Sequence, residues 1–224
     1  MKELIVYEAL HRFDSEGRRW YQSLSDASFT TEGAGWVVGS GQILRTRDGG
    51  RSWVNQFKPF SAHAYLVPNR VFAIDVQRGW VIGSISTSSG RCFFTRDAGE
   101  TWEAADLGDD IYPNDLFFIS PECGWIIADD AKIPVQQSTI CITCDEGQTW
   151  ERRSLGIKGR PNIISFLDAT NGLLLADILS ENKERYETSL YVSGDGGNKW
   201  HEAYQFKRKI NLACVFWIVS GFSL

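Results

Sequence analysis

The 224-residue chain reads as an all-β propeller of four-stranded blades, and three observations predict it. A turn-like frame recurs as "TRDGGRSW" from Thr46, "TRDAGETW" from Thr95, "TCDEGQTW" from Thr143 and "SGDGGNKW" from Ser193. Its closing tryptophans, Trp53, Trp102, Trp150 and Trp200, are 49, 48 and 50 residues apart. A second marker precedes each frame: "GWVVGS" from Gly35, "GWVIGS" from Gly79, "GWIIAD" from Gly124 and "GLLLAD" from Gly172. Four short β-rich runs per unit, repeated at this period, are the sequence sign of a propeller.

Each element of a unit follows from its residues. The first run is "DASFT", "VFAIDV", "DLFFIS" or "IISFLD", and the second is the Gly-led marker. The third is "QILRT", "CFFT", "ICIT" or "LYVS". The fourth, "SWVNQF", "TWEAAD", "TWERRS" or "KWHEAY", alternates in strand fashion. The frame therefore joins strands three and four. Asp48, Asp97, Asp145 and Asp195 are placed to fold a carboxylate onto turn N–H groups. Gly50, Gly99, Gly147 and Gly197 suit a positive φ, and Thr46, Thr95, Thr143 and Ser193 offer a local hydroxyl. Each frame tryptophan is expected to enter the layer between neighbouring blades, where one indole buries on the order of 200 Å².

The spacing predicts one domain: a half blade at 1–22, blades at 23–57, 58–107, 108–155 and 156–205, and a half blade at 206–224. "LIVYEAL", a decayed frame "FDSEGRRW" and "RRWYQSL" read as strands three and four; "KINLACVF" reads as strand one. Two outcomes are open: a closed five-bladed ring, or a segment of a larger ring that leaves edges exposed and self-associates.

The S/T-x-D-x-G-x-x-W frame at blade spacing resembles the Asp-box (BNR) repeat family. Residues 35–53, "GWVVGSGQILRTRDGGRSW", look most like the photosystem II assembly factor group, the Ycf48-like propellers. The resemblance implies a non-catalytic scaffold that holds a partner protein on its loop face. It also implies the class-different alternative, a sialidase-like glycoside hydrolase. The Ycf48-like group is often exported or lumenal, whereas this chain shows no secretory signal, so a cytoplasmic location is the default expectation.

Composition and the remaining motifs narrow the function. A net charge of −5 gives no reason to expect nucleic acid as a partner. No apolar run approaches the ~18 residues of a membrane span. Five scattered cysteines fit a reducing compartment. Cys141 and Cys144 form a CxxC along a predicted strand, pointing to opposite faces, without a complementary pair for zinc. His11, His63 and His201 are dispersed, and the alternating acidic ligands of a calcium loop are lacking. No metal, cofactor or catalytic set is expected. For hydrolysis the only acidic pairs on the loop face are Asp109/Asp110 and Asp129/Asp130. Loop length varies most on the face opposite the frames, where binding is expected. Lys158, Arg160, Lys207, Arg208 and Lys209 are placed there as a basic rim for the partner.

Overall fold

The structure is a computed structural model, and it describes residues 11–13, 19–21, 24–30, 33–56, 66–85, 89–130, 138–179 and 186–207. A hairpin, β1 (His11–Phe13) with β2 (Arg19–Tyr21), precedes four antiparallel sheets. The first holds β3 (Asp26–Phe29), β4 (Gly35–Gly39), β5 (Gln42–Thr46) and β6 (Val54–Asn55). The second holds β7 (Leu66–Ala73), β8 (Gly79–Ile85), β9 (Ser89–Thr95) and β10 (Glu103–Asp109). The third holds β11 (Ile111–Phe118), β12 (Gly124–Asp130), β13 (Ser138–Thr143) and β14 (Glu151–Ser154). The fourth holds β15 (Arg160–Phe166), β16 (Gly172–Leu179), β17 (Tyr186–Ser193) and β18 (His201–Phe206). Strands are paired in chain order within every sheet. The first strands β3, β7, β11 and β15 touch one another in succession, which makes them the inner strands of a propeller. The half blade at 206–224 and the question of ring closure lie almost wholly outside the described residues.

The core sits in the seams between sheets. One cluster joins Trp36, Val38 and Ile43 to Val71, Val81, Phe93 and Trp102. A second joins Trp80, Ile82 and Phe94 to Leu116, Phe118 and Ile126. A third joins Trp125, Ile127 and Ile140 to Ile164, Phe166 and Leu174. Within these seams the indole of strand two is the deeper one. Trp36, Trp80 and Trp125 are almost fully buried, whereas Trp53, Trp150 and Trp200 of the Asp-boxes are only partly so. Trp80 stacks on Phe118 of the next sheet at 3.8 Å and 15°, and Trp125 stacks on Phe166 at 3.7 Å and 9°. The frame residues Trp150 and Trp200 meet the same two phenylalanines edge-on, at 5.9 and 6.0 Å.

A phenylalanine opposite it explains the Gly that opens three of the four markers. Phe29, Phe118 and Phe166 lie directly opposite Gly35, Gly124 and Gly172 in the strand register. A Cβ on Gly35 would come within 2.5 Å of the Phe29 ring, and one on Gly172 within 2.7 Å of the Phe166 ring; Gly124 is closed off by Phe118 in the same way. The glycine is the floor on which the phenylalanine lies.

The strands reach further than the sequence suggested. "LVPN", "IYPN" and "RPN", which precede the runs read as first strands, are parts of β7, β11 and β15. The inner strands β7, β11 and β15 each carry a register shift, at Pro68/Arg70, Pro113/Asp115 and Pro161/Ile163. Proline is tolerated at such a bulge because it has no N–H to contribute to a ladder. The bulged asparagine instead bonds the next sheet: Asn69 Nδ2 donates to the Pro113 carbonyl at 2.5 Å, and Asn114 Nδ2 to the Pro161 carbonyl at 3.0 Å.

Candidate functional site

The Asp-box turns sit between strands three and four and share one face with the loops joining strands one and two. Four bonds tie the two loop sets together: Gly49 N to Gly33 O, Ala98 N to Gln77 O, Glu146 N to Glu122 O and Gly196 N to Thr170 O. In the first box the Thr46 hydroxyl donates to Asp48 Oδ1 at 2.8 Å and accepts from Gly50 N at 2.9 Å. Asp48 also accepts from Ser52 N at 2.8 Å and Ser52 Oγ at 2.7 Å. Thr95, Asp97, Gly99 and Thr101 repeat the pattern, as do Thr143, Asp145, Gly147 and Thr149. In the fourth box Ser193, Asp195 and Gly197 keep it, but Lys199 supplies only its backbone N–H. The hydroxyl one residue before the tryptophan, in Ser52, Thr101 and Thr149, is a box member that sequence reasoning missed.

Electrostatics follows from these bonds. The Ser52 hydroxyl and amide, with Thr46, hold the Asp48 carboxyl down to about 2. At Asp97 and Asp145 partial burial pushes the other way, but the Thr101 and Thr149 hydroxyls and amides outweigh it, and both carboxyls lie below the usual range. Asp97→Ala is expected to lower unfolding free energy by about 1–2 kcal/mol through the lost local cap. Asp97→Asn, which keeps one oxygen acceptor, should lose less. Urea denaturation of both variants measures the difference, and equal midpoints for alanine variant and parent would refute the capping role.

The sequence predicts a basic rim on the opposite face, and its described members are Lys158, Arg160 and Lys207. Lys158 is exposed; its carbonyl accepts the Tyr191 hydroxyl at 3.2 Å. Arg160 opens β15 and pairs with Asp129 at 2.6 Å, while Arg152 pairs with Asp130 at 3.0 Å. The acidic sector and part of the basic rim thus meet across one seam. Asp129 and Asp130 lie in β12, and Asp109 ends β10, so these carboxylates are strand ends rather than loop residues. Asp109 accepts from Ser89 Oγ at 3.0 Å. Lys207 is exposed just beyond β18; Arg208 and Lys209 lie outside the described residues.

The inner strands hold a polar set that the sequence analysis did not single out. Asp26 Oδ2 accepts from Val71 N at 2.9 Å and Asp115 Oδ2 from Ile164 N at 3.0 Å, each reaching the next sheet. Arg70, at the equivalent position of the sheet between them, lies 3.5 Å from Asp115. Burial pushes the Asp115 carboxyl up to about 7, against the Ile164 N–H and Arg70, which favour its ionised form. The cue was available in "VPNR" and "YPND": a charged residue follows the repeated Pro-Asn.

No three metal-ligating side chains come together among the described residues. Cys141 is buried in β13 with its thiol pushed up to about 12 by burial, whereas Cys144 is exposed. His201 is exposed on β18; the side chains of His11 and His63 lie outside the described residues. No helix among the described residues is long and apolar enough to cross a membrane.

Four-stranded sheets, Asp-box corners and aromatic seams define an Asp-box β-propeller. Residues 19–113 match the family described as photosynthesis system II assembly factor YCF48. A solved structure titled "YCF48 bound to D1 peptide" is 20% identical, covering 83% of this chain and 68% of that one, with a TM-score of 0.50. An α-L-arabinofuranosidase of Fusarium graminearum is 14% identical over 81% of this chain and 66% of its own, with a TM-score of 0.58. A xyloglucanase of Xanthomonas campestris is 15% identical over 76% of this chain but only 28% of its own, at 0.52. These likenesses show the fold alone. Among curated proteins none matches the chain.

Proposed function

We propose that this chain is a partner-binding scaffold of the photosystem II assembly type, without catalysis of its own, and that it holds a protein segment on the face opposite the Asp-boxes. The match of residues 19–113 to the YCF48 family carries the reading. The related structure holding a D1 peptide supports a peptide as the class of partner. The exposed Lys158 and Lys207 supply positive charge on the proposed face. The hydrolase alternative has less support. Asp129 and Asp130 are engaged by Arg160 and Arg152. Asp26 and Asp115 accept backbone N–H groups of neighbouring sheets, which gives them a structural task.

Reversing Lys158, Lys207, Arg208 and Lys209 to glutamate should weaken capture of a D1-derived peptide about three- to tenfold, more at low salt than at high, with the melting temperature unchanged. Unchanged capture would refute the rim. A panel of fluorogenic sialosides and arabinofuranosides tests the other class; turnover lost in Asp26→Asn or Asp115→Asn would overturn the scaffold reading.

A further inference from the structure

The repeat supplies its own internal control, and the third Asp-box corner departs from it. In every sheet the ladder between strands two and three has the marker glycine opposite the box hydroxyl residue. The pairs are Gly35 with Thr46, Gly79 with Thr95, Gly124 with Thr143 and Gly172 with Ser193. One step further out, the same register sets Ala34 against Arg47, Arg78 against Arg96 and Asn171 against Gly194. In the third sheet that step sets Cys123 against Cys144, both of them free thiols.

Local geometry holds the two cysteines together. On the far side of the pair a backbone bond, Glu146 N to Glu122 O at 3.3 Å, continues the tie between the two segments. The Cys123 backbone is itself fixed: its N–H donates to Ser120 Oγ at 3.2 Å, and its carbonyl accepts Ile119 N at 3.2 Å. Side chains alternate along a strand, so Cys123 shares a face with Trp125 and Ile127, and Cys144 with Ile142 and Ile140. Those four residues and Cys123 all pack in the seam with the fourth sheet. Burial pushes the Cys123 thiol up, and Cys144 is close enough to add to the rise, as does Glu122. Directly opposed residues of an antiparallel pair have Cα atoms about 4.5–5.5 Å apart, inside the roughly 4.4–6.8 Å that a disulfide spans. The CxxC spacing, by contrast, joins nothing. Cys141 points into the other seam, beside Cys92, and both are fully buried.

We propose that Cys123 and Cys144 form a reversible disulfide, a redox-sensitive staple across the third Asp-box corner. The oxidant is a small-molecule disulfide such as oxidised glutathione. Cys144 is exposed and is reached first. Its thiolate attacks one sulfur of the oxidant, forms a mixed disulfide and expels one glutathione thiolate. The Cys123 thiolate then attacks the Cys144 sulfur and expels the second. Two electrons pass to the oxidant, and the two protons lost by the cysteines end on two glutathione thiols. The staple closes the loop that carries β12 and β13. It also holds the corner whose Glu146 carbonyl receives the Trp80 indole N–H at 2.8 Å and whose Glu146 carboxylate pairs with Arg96. Oxidation therefore tightens the seam between the second and third sheets. The inference rests on strand register and is independent of what the chain binds.

The whole chain is incubated with oxidised glutathione or with dithiothreitol, the remaining thiols are alkylated under denaturing conditions, and the peptides are mapped by mass spectrometry. Oxidation is expected to yield a linked Cys123–Cys144 peptide, lighter by two hydrogens and absent after dithiothreitol, with Cys92 and Cys141 recovered alkylated. The oxidised form should melt about 5–10 °C above the reduced form. Cys123→Ser should leave Cys144 trapped as the glutathione mixed disulfide, because no thiol remains to resolve it. If Cys123→Ser fails to fold, the peptide map of the parent still decides. Four results overturn the proposal: both cysteines recovered as alkylated thiols, a mixed disulfide that persists on Cys144 in the parent, linkage of Cys144 to Cys141 or Cys214 instead, or an oxidised form that melts no higher.

Discussion

Phe118→Ala is expected to lower the unfolding free energy by about 3–5 kcal/mol, the largest single effect in the molecule. The ring is 2% exposed and belongs to three contacts at once. Trp80 of the preceding sheet stacks on it, Trp150 of its own sheet meets it edge-on, and Phe72 lies at 6.0 Å. Truncation removes the transfer free energy of the ring and opens a void beneath a buried indole whose N–H is fixed to Glu146 O, so the seam cannot collapse freely. Gly124 makes the test specific. Gly124→Ala alone should destabilise, because its Cβ runs into the Phe118 ring. In the Phe118→Ala background the same change should be neutral or stabilising, since the space has been vacated. Urea denaturation of the four proteins, followed by tryptophan fluorescence and far-ultraviolet circular dichroism, gives the coupling directly. Additive effects would mean that the glycine is not the floor of the ring.

The same seam shows what was legible in the sequence. The Asp-box is local: Thr95, Asp97, Gly99 and Thr101 bond one another within a few residues, so spacing alone reveals the turn. The aromatic ladder is not local. Trp80 reaches a carbonyl 66 residues away and Trp125 one 71 residues away, and no window of the sequence contains both ends. Tryptophan counts therefore identified the buried rings but not that Trp36, Trp80 and Trp125 lie deeper than Trp53, Trp150 and Trp200. The Pro-Asn segments carry no strand signal of their own, because proline and asparagine favour turns. In the folded chain a bulge removes that objection, and the asparagine side chain bonds the next sheet. On the candidate surfaces, Arg160 and Asp129 could be read as a basic and an acidic sector, but not as a pair, since β12 and β15 belong to different sheets. The Cys123–Cys144 pair was hidden for another reason. The CxxC spacing draws attention to Cys141, and only the strand register sets Cys144 against Cys123.

Acidification from pH 8 to pH 5 is expected to raise the melting temperature, and Asp115→Asn should abolish that rise. Asp115 is mostly buried, with 16% of its side chain exposed, and burial holds its carboxyl up at about 7, above the ordinary 3.8. A carboxyl raised in the folded state binds its proton more tightly there than in the unfolded chain. Its protonation therefore favours folding, and the benefit is lost as pH climbs from about 4 through 7. Asp48, Asp97, Asp145 and Asp195 act in the opposite sense. Their carboxyls are lowered, so their contribution is present above the ordinary carboxylate range and lost as pH falls below it. The two sets titrate in separate windows. Between pH 5 and 8 the boxes remain ionised in both states, and the slope belongs to Asp115. A shift of this size corresponds to a few kcal/mol across the window. Asparagine keeps an oxygen for the Ile164 N–H without a charge to bury, so the variant should show a flat profile over the same range. Melting temperatures of parent and variant at half-unit steps measure both slopes. A parent profile that is flat, or that falls on acidification from pH 8 to 6, would show that Arg70 and the Ile164 N–H outweigh burial at this carboxylate.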